Sequence, residues 1–250
     1  MTTNPLWRRL LAEYLGSGLL AAIVIGSGIA AVQLSPGDVG LELLENALVT
    51  GAGLFAIILM FGVVSGAHFN PVVSFVDAAL GGISVRDAVA YLPAQVAGCI
   101  SGAVLANVMF SQPAVSLSTH QRATGPHLLS EVVATIGLLL EIFALARSER
   151  SSITPAAVGA YITAAYFFCS STSFANPAIT VGRMFSNTFA GIAPSSVLPF
   201  IGAQVVGGAC AIGLIALLYP GLTPQEASDI LVPHRHHDHD HDDDDEGAQP

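Results

Sequence analysis

Six long apolar segments dominate this sequence. They cover residues 8–33, 43–63, 87–110, 128–147, 153–171 and 196–219. As helices, segments of this length can cross the roughly 30 Å of hydrocarbon in a bilayer. Only 10% of the residues are charged and none is lysine, which is too few charges to cover the surface of a soluble globular protein. The sequence therefore predicts an all-α membrane protein with six transmembrane helices in a lipid bilayer.

The arginines predict how these helices are oriented. Six spans place both termini on one side of the membrane, and most arginines fall in the loops and ends of that side. These are Arg8, Arg9, Arg86, Arg147, Arg150 and Arg235. By the positive-inside rule, both termini are expected to be cytoplasmic, in a plasma (inner) membrane. The formal net charge of −10 disfavours nucleic acid as a partner, because a phosphate backbone would be repelled.

Two further apolar segments are too short and interrupted to span the membrane. Residues 64–80 and 172–192 each contain an Asn-Pro pair followed by a helical pattern. Proline is favoured at the first helical position, where its missing N–H would have no partner in any case. Each segment is therefore predicted to enter the membrane as a loop and continue as a short half-helix that starts at depth, one from each side.

The two halves of the chain resemble each other. The sequence around Glu13 is repeated around Glu131, 118 residues later, and the two Asn-Pro segments lie 106 residues apart. The repeats, about 8–110 and 128–219, each contain three spans, so they must be inverted in the membrane. Inverted repeats with paired broken helices place a transport pathway at their interface.

The Asn-Pro segments resemble a known family. "SGAHFNPVVS" and "FANPAIT" are similar to the two Asn-Pro-Ala boxes of the aquaporins and aquaglyceroporins, the major intrinsic proteins. The residues of the two boxes are Asn70, Pro71, Val72, Asn176, Pro177 and Ala178. The first box departs from the family pattern in having valine as its third residue. The resemblance implies a channel with six spans and two half-helices, a homotetramer with one pore per subunit, no cofactor and no enzymatic activity.

The chemistry of the boxes can be argued without the family. Two half-helices that meet at the midplane direct their partly positive N-termini at one point, which repels cations and protons. The amides of Asn70 and Asn176 can donate hydrogen bonds to a passing water or hydroxyl and interrupt a proton wire. The alternative is that both asparagines only cap their helices.

Glu13 and Glu131 lie within apolar spans, where an unpartnered carboxylate is costly. The structural interpretation, which the family favours, is that each accepts hydrogen bonds from the backbone of a re-entrant loop. The functional alternative is a proton relay in a secondary transporter.

The resemblance also implies an outer selectivity constriction. Counted from the asparagines, it consists of Thr50, Ala164, Ser173 and Ile179. Ordinary aquaporins have arginine at the position of Ile179, and water-selective members have histidine at that of Ala164. The nearest arginine, Arg183, lies one turn further along and either reaches back to the pore or pairs with outer-loop groups.

A wide, uncharged ring suits small neutral polyhydroxy solutes. The combination of boxes is most similar to the bacterial aquaglyceroporins associated with arsenic resistance. We therefore predict a passive channel for glycerol-like solutes and metalloid acids such as arsenite, and also for water. The alternatives are a water-selective aquaporin, a proton-coupled transporter and a non-conducting scaffold.

The channel domain is predicted to comprise residues 1–232, and residues 233–250 form a separate cytoplasmic tail. The tail contains seven acids and five histidines, a composition that is typical of disordered segments. Histidine and carboxylate together can bind borderline divalent metals. The candidate ligands are His234, His236, His237, His239 and His241. The alternative is a solubilising tail without a ligand.

Overall fold

The computed structural model describes residues 4–148 and 150–219. In these ranges the secondary structure is helical throughout, with no strand. The eight α-helices are α1 (Leu6–Leu34), α2 (Val39–Ser65), α3 (Pro71–Leu80), α4 (Val85–Met109), α5 (Gly125–Arg147), α6 (Thr154–Phe168), α7 (Pro177–Arg183) and α8 (Pro194–Leu218). Their order is that of two repeats, each with three long elements and one short helix.

Five of the long elements are apolar and long enough to cross a membrane by themselves. The exception is α6, which has 15 residues and a length of about 22 Å. A 3₁₀ turn at Ser151–Ile153 precedes it and extends the crossing. The predicted span at 153–171 is too long at its C-terminal end because Cys169 has an extended backbone, from which the chain turns into the second re-entrant loop.

The two half-helices begin where the Asn-Pro pairs predict. Asn70 and Asn176 have extended backbones and cap α3 and α7, and the prolines occupy the first helical positions. The second half-helix is shorter than its apolar segment suggests, because α7 ends at Arg183 and the chain is irregular as far as α8.

The half-helices lie between the repeats and join them. Helix α3 packs on α4 of its own repeat and on α8 of the other, while α7 packs on α8, α4 and α1. Among the long helices, α1 pairs with α2 and α4, and α5 with α6 and α8. The apolar core runs through all of these contacts.

Glycine allows the closest of these approaches. A Cβ atom built on Gly102 of α4 would lie 2.0 Å from the carbonyl oxygen of Gly18 on α1. A Cβ atom on Gly159 of α6 would lie 2.5 Å from the carbonyl oxygen of Gly51 on α2. Since no side chain fits in either gap, glycine is required for the backbones of these helix pairs to meet, as is common between membrane helices.

Candidate transport pathway

The N-termini of α3 and α7 meet through the two asparagines. Asn70 Nδ2 donates to the carbonyl of Ala175 at 2.8 Å, and Asn176 Nδ2 donates to the carbonyl of Phe69 at 2.7 Å. The Oδ1 atoms accept from backbone N–H groups of their own half-helices. Each asparagine is thus both a helix cap and a link to the opposite loop. An amide has two N–H donors, and these contacts use one of them in each side chain.

Glu131 stabilises the second re-entrant loop. Its Oε1 accepts from the backbone N–H of Phe174 at 2.8 Å. Its Oε2 accepts from the N–H of Ala175 at 2.8 Å and from Gln204 Nε2 at 2.7 Å. The carboxylate is fully buried and holds the two residues that precede Asn176.

Glu13 does the same in the first repeat. It accepts from the backbone N–H groups of His68 and Phe69 at 3.0 and 2.7 Å. The Ser65 hydroxyl and Gln95 Nε2 donate to it as well, at 2.6 and 2.8 Å. Both carboxylates are therefore engaged as acceptors by the loops, which favours the structural interpretation over a proton relay.

A narrow cavity of about 70 Å³ follows the interface of the repeats past both asparagines. Its wall is mainly apolar and shows the symmetry of the repeat. Lining residues occur as pairs 118, 118 and 106 residues apart, such as Leu20 with Leu138, Val24 with Ile142, and Val73 with Ile179. Residues at corresponding positions of the two halves thus line the same cavity.

Most of the residues expected at the outer constriction do line this cavity. Thr50, Ser173, Ile179 and Arg183 are all buried and lie along its wall. The Thr50 hydroxyl lies 3.2 Å from the hydroxyl of Tyr166, a residue that the sequence reasoning missed. These two hydroxyls form a polar patch in the mainly apolar wall of the cavity.

Ala164 does not line the pathway, and its assignment to the constriction is wrong. It is exposed on α6, whereas Val158, Ile162 and Tyr166 line the cavity. These three residues are spaced by four and share one helix face, while Ala164 is two positions from Tyr166. Two positions correspond to about 200° around a helix, so the small error in counting back from Asn176 selects the opposite face.

Arg183 reaches the pathway by stacking on an aromatic ring. Its guanidinium carbon lies 3.4 Å from the centroid of the Phe174 ring, a cation–π contact. Its Nε also donates to the carbonyl of Ala190. Arg183 thus lines the cavity, as the first alternative expects, and its side chain is also held by a loop carbonyl. Phe174 was not predicted, although its position two residues before Asn176 is a signal that could have indicated it.

A second arginine approaches the same ring from the outer loop. The guanidinium carbon of Arg122 lies 5.5 Å from the centroid of Phe174. Its Nε and Nη2 donate to the carbonyls of Gly191 and Phe189 at 2.7 and 3.0 Å. Burial lowers the pKa of Arg122, but a guanidinium remains charged at neutral pH. Two guanidinium groups therefore lie beside Phe174 at this end of the cavity.

Comparison with known proteins agrees with this geometry. The family described as major intrinsic protein matches residues 1–175. Aquaglyceroporin AqpS of Rhizobium meliloti (strain 1021) is 47% identical over 224 residues, which are 90% of this chain and 95% of that protein. The chain belongs to the major intrinsic protein family. Aquaporin-4 of Rattus norvegicus is 28% identical over 210 residues, covering 82% of this chain and 60% of that protein.

A solved structure shows the same fold. The aquaglyceroporin from Plasmodium falciparum superposes with a TM-score of 0.66 at 20% identity, covering 86% of this chain and 98% of that one. As a major intrinsic protein, the chain is a multi-pass membrane channel for small solutes rather than an enzyme. The all-α membrane fold predicted from the sequence is confirmed. In the part of the chain that the structure describes, five of the six predicted spans are apolar helices long enough to cross a membrane, and α6 is the shorter sixth.

The predicted metal ligands of the tail cannot be placed. His234 to His241 lie outside the described residues, so metal binding there stays a prediction. Within residues 4–148 and 150–219, no group of three or more His, Cys, Asp or Glu side chains could hold a metal ion.

Proposed function

We propose that this channel passes glycerol-sized uncharged polyols and undissociated metalloid acids such as arsenous acid, together with water, down their gradients. The observation that carries the proposal is the side chain at position 179. Isoleucine lines the outer cavity there, at the position where ordinary aquaporins have arginine. The name of the similar Rhizobium protein, an aquaglyceroporin, supports the same class of solute.

The wall of the cavity suits such solutes chemically. A polyol has a carbon backbone on one side and hydroxyls on the other. Apolar side chains such as Leu54 and Ile162 can contact the carbon backbone. The hydroxyls of Thr50 and Tyr166 and the free N–H donors at the midplane can bind the solute hydroxyls. A buried hydroxyl without a hydrogen-bond partner is costly. The pathway offsets this cost by replacing the hydrogen bonds that the polyol loses when it leaves water.

A water-selective channel is the second candidate, and Arg183 favours it. Its guanidinium stacks on Phe174 in the outer wall, so it could narrow the opening in place of an arginine at position 179. A proton-coupled transporter has less support, because the buried acids Glu13 and Glu131 are held as acceptors by both loops.

We also propose that the protein is a homotetramer in the plasma membrane with both termini cytoplasmic. The orientation rests on the arginines of the termini and of the loops on the same side, and the assembly rests on the family. Chemical cross-linking in membranes tests the tetramer, and accessibility of tags at the two termini tests the orientation. Dominant monomers or an external terminus would contradict these proposals.

Solute flux into proteoliposomes tests the proposed selectivity. We expect glycerol and arsenous acid to enter vesicles that contain the protein at least tenfold faster than they enter protein-free vesicles. Entry should not saturate, should not respond to an imposed proton gradient, and should exclude sucrose. Water entry without glycerol entry would support the water-selective candidate instead. Saturating uptake that follows the proton gradient would identify a transporter.

A further inference from the structure

A buried histidine and aspartate face each other in the inner half of the pathway. His68 lines the cavity two residues before Asn70, and Asp77 lies on α3. His68 Nε2 is 3.4 Å from Asp77 Oδ2, and the two side chains are only 4% and 2% exposed. Neither the boxes nor the outer constriction account for this pair.

The repeat gives the pair a counterpart at the other end of the pore. His68 and Asp77 correspond to Phe174 and Arg183, each 106 residues later. The same two backbone positions therefore place a guanidinium on a phenyl ring outside and a carboxylate beside an imidazole inside. The outer pair carries a fixed positive charge, whereas the inner pair contains a group that can take up a proton.

Asp77 depends on His68 for its stabilisation. Its Oδ1 has no hydrogen-bond partner, and Oδ2 faces the imidazole. A buried carboxylate without compensation is costly. Among the charged side chains that the structure describes, His68 is the only one within ion-pair distance of Asp77.

The hydrogen bonds of the imidazole assign its proton. Ser74 Oγ donates to the carbonyl of Asn70 at 3.2 Å and accepts from Gln95 Nε2 at 3.0 Å. Because a hydroxyl has one hydrogen, His68 Nδ1, 3.0 Å from Ser74 Oγ, is assigned as the donor of that contact. One further proton shared by His68 Nε2 and Asp77 Oδ2, which lie 3.4 Å apart, leaves the pair without net charge.

Other titratable groups around His68 are engaged elsewhere. Glu13 on α1 accepts from the His68 backbone N–H, not from its ring. The ring of Tyr91 on α4 lies 5.6 Å from the imidazole at a steep angle, and its hydroxyl donates to the carbonyl of Ser65. The other described ion pair, Arg9 with Asp87, joins α1 and α4. Asp77 is thus the group that balances the charge of the imidazole.

We infer that Asp77 is a positioning residue that keeps the pore-lining His68 electrically neutralised and held against the wall, so that passage through the inner half does not depend on pH. Histidine ordinarily takes up a proton between pH 8 and pH 5. With Asp77 present, the pair already shares that proton between Nε2 and Oδ2, so it gains no net charge over this range. Without the carboxylate, protonation would leave an unbalanced imidazolium in an apolar wall, and the ring would move toward water in the cavity and narrow it.

The pH profile of glycerol flux tests this inference, which rests on the proposed function. Wild-type flux at pH 8 reports on that function by itself, and only the ratio of rates at pH 5 and pH 8 reports on Asp77. We expect this ratio to stay within twofold of one in the wild type. In Asp77→Asn, flux at pH 5 should fall at least fivefold below flux at pH 8.

A second substitution separates charge from shape. His68→Phe introduces the residue of the other repeat and removes the titrating ring, so the double variant Asp77→Asn/His68→Phe should have a flat profile again. Glu141→Gln is the matched control, because Glu141 is a half-buried membrane acid away from the cavity whose Oε2 lacks a hydrogen-bond partner; its profile should match the wild type. A flat profile in Asp77→Asn, or acid inhibition of the wild type, would overturn the inference.

If Asp77→Asn does not insert into the membrane, thermal unfolding in detergent provides a second test of the pairing. His68→Phe alone leaves Asp77 buried without its partner, so its melting temperature should fall further than that of Asp77→Ser/His68→Phe. Equal melting temperatures would contradict the pairing.

Discussion

Replacing Glu131 by glutamine is expected to abolish solute flux and to reduce the yield of folded protein. The carboxylate accepts from two backbone N–H groups, those of Phe174 and Ala175, and from Gln204. A glutamine offers one oxygen and turns an NH₂ group toward one of these donors. Each buried donor left unpaired costs about 1–3 kcal/mol, and the loop that positions Asn176 would lose its anchor.

Glu141→Gln provides the control for this substitution. It makes the same chemical change on the same helix, α5, at a half-buried position away from the cavity. Gel filtration in detergent and glycerol flux at equal protein density should show a defect in Glu131→Gln alone. Normal flux and normal stability of Glu131→Gln would show that the loop does not need the carboxylate.

Replacing Arg183 by alanine is expected to widen the outer constriction. The guanidinium covers the face of Phe174 at 3.4 Å and is only 2% exposed. Its removal leaves space beside Ile179 and takes away a fixed positive charge that opposes cations. We expect the ratio of glycerol to water permeability to rise at least threefold and polyols longer than glycerol to enter.

Stopped-flow measurements of glycerol and water entry into the same vesicle preparation give this permeability ratio directly. Arg86→Ala is the matched control, since Arg86 is an exposed arginine outside the pathway, and its ratio should equal that of the wild type. If Arg183→Ala leaves the ratio unchanged, Arg183 is a structural residue of the outer loop and Ile179 with Tyr166 sets the width of the opening.

The half-helices and their asparagines could be predicted from the sequence because local chemistry determines them. An Asn-Pro pair specifies a capped helix start, and its recurrence 106 residues later requires two such starts in inverted repeats. The buried acids could be predicted for a similar reason, since a carboxylate within an apolar span must find donors.

The outer constriction could be predicted only in part, because it depends on helix phase and on contacts between distant segments. Counting from Asn176 gave Ile179, three residues away, but failed at Ala164, where a shift of two residues selects the opposite face of α6. The stacking of Arg183 on Phe174 and the pairing of His68 with Asp77 depend on how the half-helices pack. No sequence spacing specifies those contacts.

The most direct test of the central claim, that solutes cross at the junction of the two amides, is glycerol flux through Asn176→Asp. Aspartate keeps the oxygen that caps α7 but cannot donate to the carbonyl of Phe69 or to a solute. Losing such donors costs about 1–3 kcal/mol, so flux should fall roughly tenfold or more at equal abundance. The control is Asn187→Asp, since the Oδ1 of this exposed outer-loop asparagine accepts from the Thr119 N–H and aspartate preserves that contact; its flux should match the wild type. Wild-type flux through Asn176→Asp would contradict the claim.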